Sequence, residues 1–116
     1  MKNDDALIKL EKRDYYCTLF DIYGKLFTDK QQTYFKDYYF EDLSLSEIAE
    51  NYGISRSAVF DVISKMQSQL EEYEIKLNID KNKENILGIL YDYENKAKSE
   101  NNDLTLELIE IIRRVM

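Results

Sequence analysis

The chain has 116 residues, 44% of them hydrophobic, and its 16 Lys and Arg against 23 Asp and Glu give a net charge of −7. This length suits one domain, or a domain with a helical tail, and the apolar content excludes a disordered chain. Because His is absent and Cys occurs once, His-dependent catalysis, His-ligated or multi-Cys metal sites and an intrachain disulfide are excluded. No apolar run approaches the roughly 18 residues of a membrane span. We therefore expect a cytoplasmic protein that is not an enzyme and needs no cofactor.

The sequence predicts an all-α fold of five or six helices. Pro is absent, Gly occurs three times, and apolar residues recur at spacings of three and four. The first predicted helix runs from about Asp5 to Phe27. Its apolar face consists of Tyr16, Leu19, Phe20, Tyr23, Leu26 and Phe27.

Two capping boxes mark the next two helices. Thr28 with Gln31 three residues later predicts the start of a second helix that ends near residue 40. Ser44 with Glu47 predicts the start of a short third helix, which we expect to end at Gly53.

A long fourth helix is predicted from Arg56 to Leu77, with Ser55 as its N-cap. After it, Asn78 to Asn85 is predicted to be a polar joint, and a fifth helix is predicted up to a polar gap at residues 98–102. Asp103 is the predicted N-cap of the last helix. We thus expect a helix-turn-helix domain with an extended recognition helix at residues 1–78 and a C-terminal helical tail at residues 79–116.

The segment from Leu45 to Ile63 has the spacing of a helix-turn-helix motif. Ala49 is small where the two helices must cross, and Gly53, four residues later, allows the positive φ that the turn requires. The residues expected to face the core are Ile48, Tyr52, Ile54, Val59 and Val62. The candidate nucleic-acid-binding residues, expected to face outward, are Ser55, Arg56, Ser57, Phe60, Asp61, Ser64 and Lys65.

The local charge weighs against tight binding. Residues 28–66 carry four basic and seven acidic side chains, a net charge of −3, whereas nucleic-acid affinity depends on cations that neutralise phosphates. We therefore expect any binding to DNA or RNA to be weak and salt-dependent. The alternative is a protein–protein adaptor in which the motif only packs helices.

The fourth helix also carries a stripe of apolar residues at heptad spacing. Its candidate oligomer-interface members are Ile63, Met66, Leu70, Tyr73 and Leu77. The stripe is either a seam between two chains or a face that packs in the chain's own core. Because the last helix adds a further apolar face, we favour a homodimer.

The run LFTDKQQTYFKDYYFEDLSLSEIAENYGISRSAVFDVISKMQSQLEEYEIKL, from Leu26 to Leu77, resembles the YlxM family of helix-turn-helix proteins. The most specific pieces are Leu26 with Thr28 to Gln31, Tyr38-Tyr39, Ser44 to Glu50, Ser55-Arg56 with Ala58-Val59, and Leu70 to Leu77. The same stretch is distantly similar to region 4 of bacterial sigma factors.

The resemblance implies a bacterial protein with a regulatory role and an association with the GTPases of the signal recognition particle pathway. It implies no catalytic residue. The chain departs from the family pattern after Asp61, where an Asn, an apolar residue and two basic residues are usual. Val62, Ile63, Ser64 and Lys65 stand there instead, so one cation is lost at Ser64.

Overall fold

The computed structural model describes the backbone of residues 2–116 and the side chains of residues 12–116. Throughout these residues the chain forms six α-helices and one 3-10 turn and no strand, which confirms the all-α prediction. The elements are α1 (Lys2–Tyr23), a 3-10 turn (Gly24–Leu26), α2 (Asp29–Tyr39), α3 (Leu45–Tyr52), α4 (Arg56–Leu77), α5 (Ile79–Ser99) and α6 (Asp103–Val115). They group into two compact units, Met1–Leu77 and Asn78–Met116.

The first unit is built around α4, which packs against α1, α2 and α3. Apolar residues at helical spacing on these four helices form one continuous core, as expected for amphipathic helices that bury one face each. Its largest fully buried side chains are Tyr23, Tyr38, Tyr39, Phe35, Leu19, Leu45, Ile48, Met66, Leu70 and Val59.

Tyrosine hydroxyls connect α1 to α4 at the edge of this core. The hydroxyl of Tyr16 donates a hydrogen bond to Glu71 Oε1 over 2.8 Å, and that of Tyr23 donates to Glu74 Oε1 over 2.8 Å. Burial, followed by the bond to Glu71, raises the pKa of Tyr16 far above its ordinary value. Each ring is therefore buried while its polar end is satisfied.

The first helix ends earlier than predicted. α1 stops at Tyr23, and a 3-10 turn follows in which the Phe27 amide donates to the Gly24 carbonyl over 3.1 Å. A Cβ atom on Gly24 would lie 3.0 Å from the Phe20 ring, so a larger residue there would push the ring away by a few tenths of an ångström. The 3-10 turn has fewer residues per turn than an α-helix, so the side chains after Tyr23 point in different directions from those of a continued α-helix. Leu26, predicted to lie on the apolar face, is therefore exposed.

α1 begins at Lys2 rather than at about Asp5, whereas the starts of α2, α3 and α4 agree with the sequence. Thr28 with Gln31 and Ser44 with Glu47 both form complete capping boxes. Ser55 Oγ accepts the Ala58 amide over 3.1 Å at the start of α4. Each of these bonds lies within four residues along the chain, which is why the sequence alone located them.

The second unit is a hairpin of α5 and α6. Leu90, Ala97 and Ile109 are its buried apolar residues, and an ion pair between Arg113 and Glu94 joins the two helices. The charge on Arg113 lowers the pKa of the Glu94 carboxyl, chiefly through their hydrogen bond.

Three predicted boundaries of this unit are wrong. The polar joint at 78–85 shrinks to Asn78, which has a left-handed φ of 56° and separates α4 from α5, the helix that begins at Ile79. Residues 81–85 are polar and lie exposed to solvent within the helix. They do not form a break in it. The predicted gap starts after Ser99 rather than at residue 98. Asn102, not Asp103, caps α6, since its side chain accepts the Thr105 amide.

Candidate nucleic-acid interface

The turn between α3 and α4 has the geometry of a helix-turn-helix. Gly53 adopts φ 66° and ψ 34°, a left-handed conformation, and its amide donates to the carbonyls of Ala49 and Glu50. The Ile54 amide donates to the Ala49 carbonyl over 3.0 Å. These bonds end α3 and redirect the chain into α4 within three residues, which confirms the role predicted for Gly53.

The motif packs through small and apolar side chains. Ile48, Ala49 and Val59 are buried in the core, and Ile54 and Val62 are half-buried against it. Four of the five residues predicted to face the core therefore do so. Ala49 is buried, and its helix α3 packs against α4. Both observations agree with the prediction that Ala49 lies where the two helices cross.

Tyr52 is the exception, because it is 44% exposed. Its ring packs edge-on against Tyr34, with centroids 5.0 Å apart, and its hydroxyl donates to Asp37 Oδ2 over 2.7 Å. That hydrogen bond raises the pKa of Tyr52. A tyrosine in the last turn of α3 thus spans the gap to α2 with its hydroxyl at the surface.

The structure places the seven candidate contact residues in the N-cap and first three turns of α4. Ser55, Ser57, Phe60, Asp61 and Lys65 are exposed, and Arg56 and Ser64 are half-buried. The Ser55 and Ser57 hydroxyl oxygens lie 3.2 Å apart. Phe60 is 40% exposed and is not part of the core. The seven form a continuous outer face rather than a pocket.

A groove beside this face brings in a residue that the sequence analysis missed. Its volume is about 260 Å³, and its lining residues are Thr28, Lys30, Gln31, Tyr34, Ile54, Ala58 and Val62. It joins the first turn of α2 to the first two turns of α4. Lys30 is exposed, with its Nζ 5.8 Å from the centroid of the Tyr34 ring. No local pattern marks Lys30, because 28 residues separate it from Ala58 and only tertiary packing brings the two into one groove.

The apolar stripe of α4, predicted to be a candidate oligomer interface, is mostly buried within the chain itself. Ile63, Met66 and Leu70 are buried in the first unit's own core, and Tyr73 packs half-buried against it. Leu77 is 52% exposed at the helix end. Along most of its length the stripe is therefore a core face, and a second chain could reach it only at the C-terminal end.

Comparison with known proteins identifies the family. A family model described as "Putative helix-turn-helix protein, YlxM / p13 like" matches residues 10–111, most of the chain. The chain belongs to this family. The UPF0122 protein of Streptococcus gordonii (strain Challis) is 46% identical over 72 residues, which make up 62% of this chain and 66% of that relative. UPF0122 proteins of Streptococcus pneumoniae strains Hungary19A-6 and CGSP14 match to the same extent.

This membership confirms the resemblance noted from Leu26 to Leu77 and extends it into the second unit. The pairwise match spans just under two thirds of those relatives' length. In the part of the chain that the structure describes, no helix is long and apolar enough to cross a bilayer. Nor do the described residues include a group of three or more side chains that could hold a metal ion.

Proposed function

We propose that this YlxM-like chain is a non-enzymatic regulatory protein that binds nucleic acid through the N-terminal turns of α4. The observation that carries the proposal is the α3–α4 turn, in which left-handed Gly53 positions an exposed face of polar, cationic and aromatic residues. This is how helix-turn-helix proteins present a recognition helix to a groove. Membership of a family described as helix-turn-helix supports the same role.

Three cations define the contact. Arg56 and Lys65 lie on α4, and Lys30 borders the groove beside it. Ser55, Ser57, Asp61 and Ser64 are the polar candidates at the start of α4, and Phe60 offers a ring on which an unpaired base could stack. Because acidic side chains outnumber basic ones between residues 28 and 66, binding is weak and steeply salt-dependent.

The biological setting that we propose is the signal recognition particle pathway of the bacterial cytoplasm. The support is the family resemblance, which associates YlxM-like proteins with the GTPases of that pathway. The ligand is then an RNA of the pathway, a regulatory DNA site, or one of those GTPases.

The test is a fluorescence-anisotropy titration of labelled duplex DNA and of a stem-loop RNA at two salt concentrations. Arg56→Ala is expected to weaken binding most, followed by Lys65→Ala and Lys30→Ala. Each is expected to reduce the slope of log affinity against log salt by about 1 per lost phosphate contact. Lys36→Ala is the matched control, since Lys36 is an exposed lysine at the far end of α2. Phe60→Ala should weaken RNA binding more than duplex DNA binding.

A second candidate function is a protein–protein adaptor whose motif is only structural. The net charge of −3 over residues 28–66 favours it. An absence of binding to both nucleic acids at low salt would support this candidate and refute the first. A pull-down from native lysate would then identify the bound protein. Tight, salt-insensitive binding to a DNA operator would contradict the electrostatic argument.

A further inference from the structure

The last helix carries an apolar stripe that the hairpin leaves bare. Leu104, Leu108, Ile111 and Val115 recur at spacings of four, three and four, and they are 47–80% exposed. The opposite face of α6 packs on α5 through buried Ile109, with Leu106 and Ile112 half-buried. α6 is therefore apolar on two faces, and α5 covers one of them.

The second unit, Asn78–Met116, is shorter than the roughly 40 residues below which a fold needs a disulfide, a metal or oligomerisation. It contains no Cys, because the chain's one Cys is Cys17. Its described side chains include no metal-binding group. Association is the remaining source of stability for this unit.

The charges along the stripe indicate what covers it. Glu107 and Arg114 each directly precede a stripe residue and lie seven residues apart, so both project from the same edge of α6. A second α6 running antiparallel presents these two charges in the reverse order. Glu107 of each copy then faces Arg114 of the other.

We propose that α6 is the interface of a homodimer, in which two copies pair antiparallel about a two-fold axis perpendicular to the helices. In this register Leu104 of one copy lies opposite Val115 of the other, and Leu108 lies opposite Ile111. Such an isologous contact closes on itself. Arg114 now pairs with Glu110 over 2.9 Å, an exposed pair that exchanges partners at little cost.

The interface differs from the seam expected on α4. Ile63, Met66 and Leu70 are already covered within the first unit, whereas the α6 stripe is exposed over its whole length. Apolar residues of α5, among them Ile86 and Ile89, are also exposed and extend the apolar surface of the hairpin.

Sedimentation equilibrium of the full chain at micromolar concentration tests the proposal. The expected species has twice the chain mass of 13.9 kDa. Leu108→Asp is expected to give a monomer, because Leu108 is more than half exposed and lies in the stripe. The monomer should keep the helical circular dichroism of the first unit and lose part of that of the hairpin, whose stability depends on association. A monomeric wild-type chain, or a dimer that survives Leu108→Asp, would overturn the proposal.

Charge reversal tests the antiparallel register. Glu107→Arg places Arg opposite Arg114, and Arg114→Glu places Glu opposite Glu107, so each is expected to raise the dimer dissociation constant roughly tenfold. The double variant E107R/R114E is expected to restore it to within about threefold of wild type. Glu84→Arg makes the same charge change on α5 and should leave the constant unchanged. If the double variant stays as weak as the single ones, the antiparallel pairing is wrong.

Discussion

Gly53 shows how one residue sets the geometry of the motif. No heavy atom lies within 4 Å of the position that a Cβ would occupy there, so space does not demand glycine. The φ of 66° at Gly53 is the reason for glycine, because a residue with a Cβ is strained in the left-handed region. The direction in which α4 leaves the turn therefore depends on a backbone conformation and not on packing.

Gly53→Ala is expected to lower the free energy of unfolding by about 1–2 kcal/mol through this strain alone. Gly88→Ala is the matched control. Gly88 lies inside α5 with equally open space and no positive φ, so alanine there should stabilise by roughly 0.5–1 kcal/mol. Urea denaturation measures both. Equal effects of the two substitutions would contradict the strain argument.

Ala49 illustrates the opposite case, in which space decides. It is buried in the core of the first unit and is predicted to lie where α3 crosses α4, so Ala49→Leu should overpack the motif and cost about 1–3 kcal/mol. Ala58→Leu adds the same atoms at a half-buried position that lines the groove beside Lys30, and it should cost clearly less. Urea denaturation of the two variants compares them. A smaller loss for Ala49→Leu would mean that the crossing has room to spare.

Among the elements, those with local start signals were predicted best. The starts of α2, α3 and α4 follow from side chains that bond amides three residues away, and the sequence located all three. The start of α5 has no such cap, because Asn78 makes no side-chain capping bond and only its left-handed φ separates α4 from α5. The polar residues at 78–85 predicted a joint there, whereas the structure has a helix from Ile79 onward.

The α5–α6 hairpin is expected to weaken in acid. The hydrogen bond from Arg113 lowers the pKa of Glu94 below the ordinary value of 4.5, so the stabilisation is complete above that value. It is lost as the pH falls through the lowered pKa, when the carboxylate becomes protonated. NMR titration should give Glu94 a pKa below the ordinary value of 4.5.

The matching variant test is Glu94→Gln, which removes the charge at every pH. Thermal unfolding of the hairpin should then depend less on pH between 3 and 5 than in the wild type. Glu84→Gln, on the same helix, should preserve the wild-type dependence. A Glu94 pKa at or above the ordinary value of 4.5 would show that the ion pair with Arg113 does not persist in solution.

For the whole molecule, the two units differ in how much of their apolar surface they bury. The first has a continuous core, from Tyr16 on α1 to Leu70 on α4. The second buries Leu90, Ala97 and Ile109 and leaves the α6 stripe bare. From this difference we propose that the first unit folds independently and that the second does not.

A fragment of residues 1–77 is expected to fold alone, with a cooperative thermal transition, because every member of its core lies within it. A fragment of residues 78–116 is expected to lose helical circular dichroism on dilution, since its stability depends on association. Circular dichroism against concentration measures both. A first fragment without a cooperative transition would refute the boundary.

The chain's own pattern was enough to establish the helical class, the capping boxes, the left-handed glycine and the outward face of α4. All of these depend on residues within about four positions of one another, so the sequence contains the interacting partners side by side. Which apolar stripe is buried was not decided locally, because the stripes of α4 and α6 have the same heptad spacing. Packing of α4 against α1 and α2 buries the α4 stripe. The α6 stripe stays exposed because α5 packs on the other face of that helix. The same packing exposed Tyr52 and brought Lys30 beside α4, since both positions depend on where α2 lies.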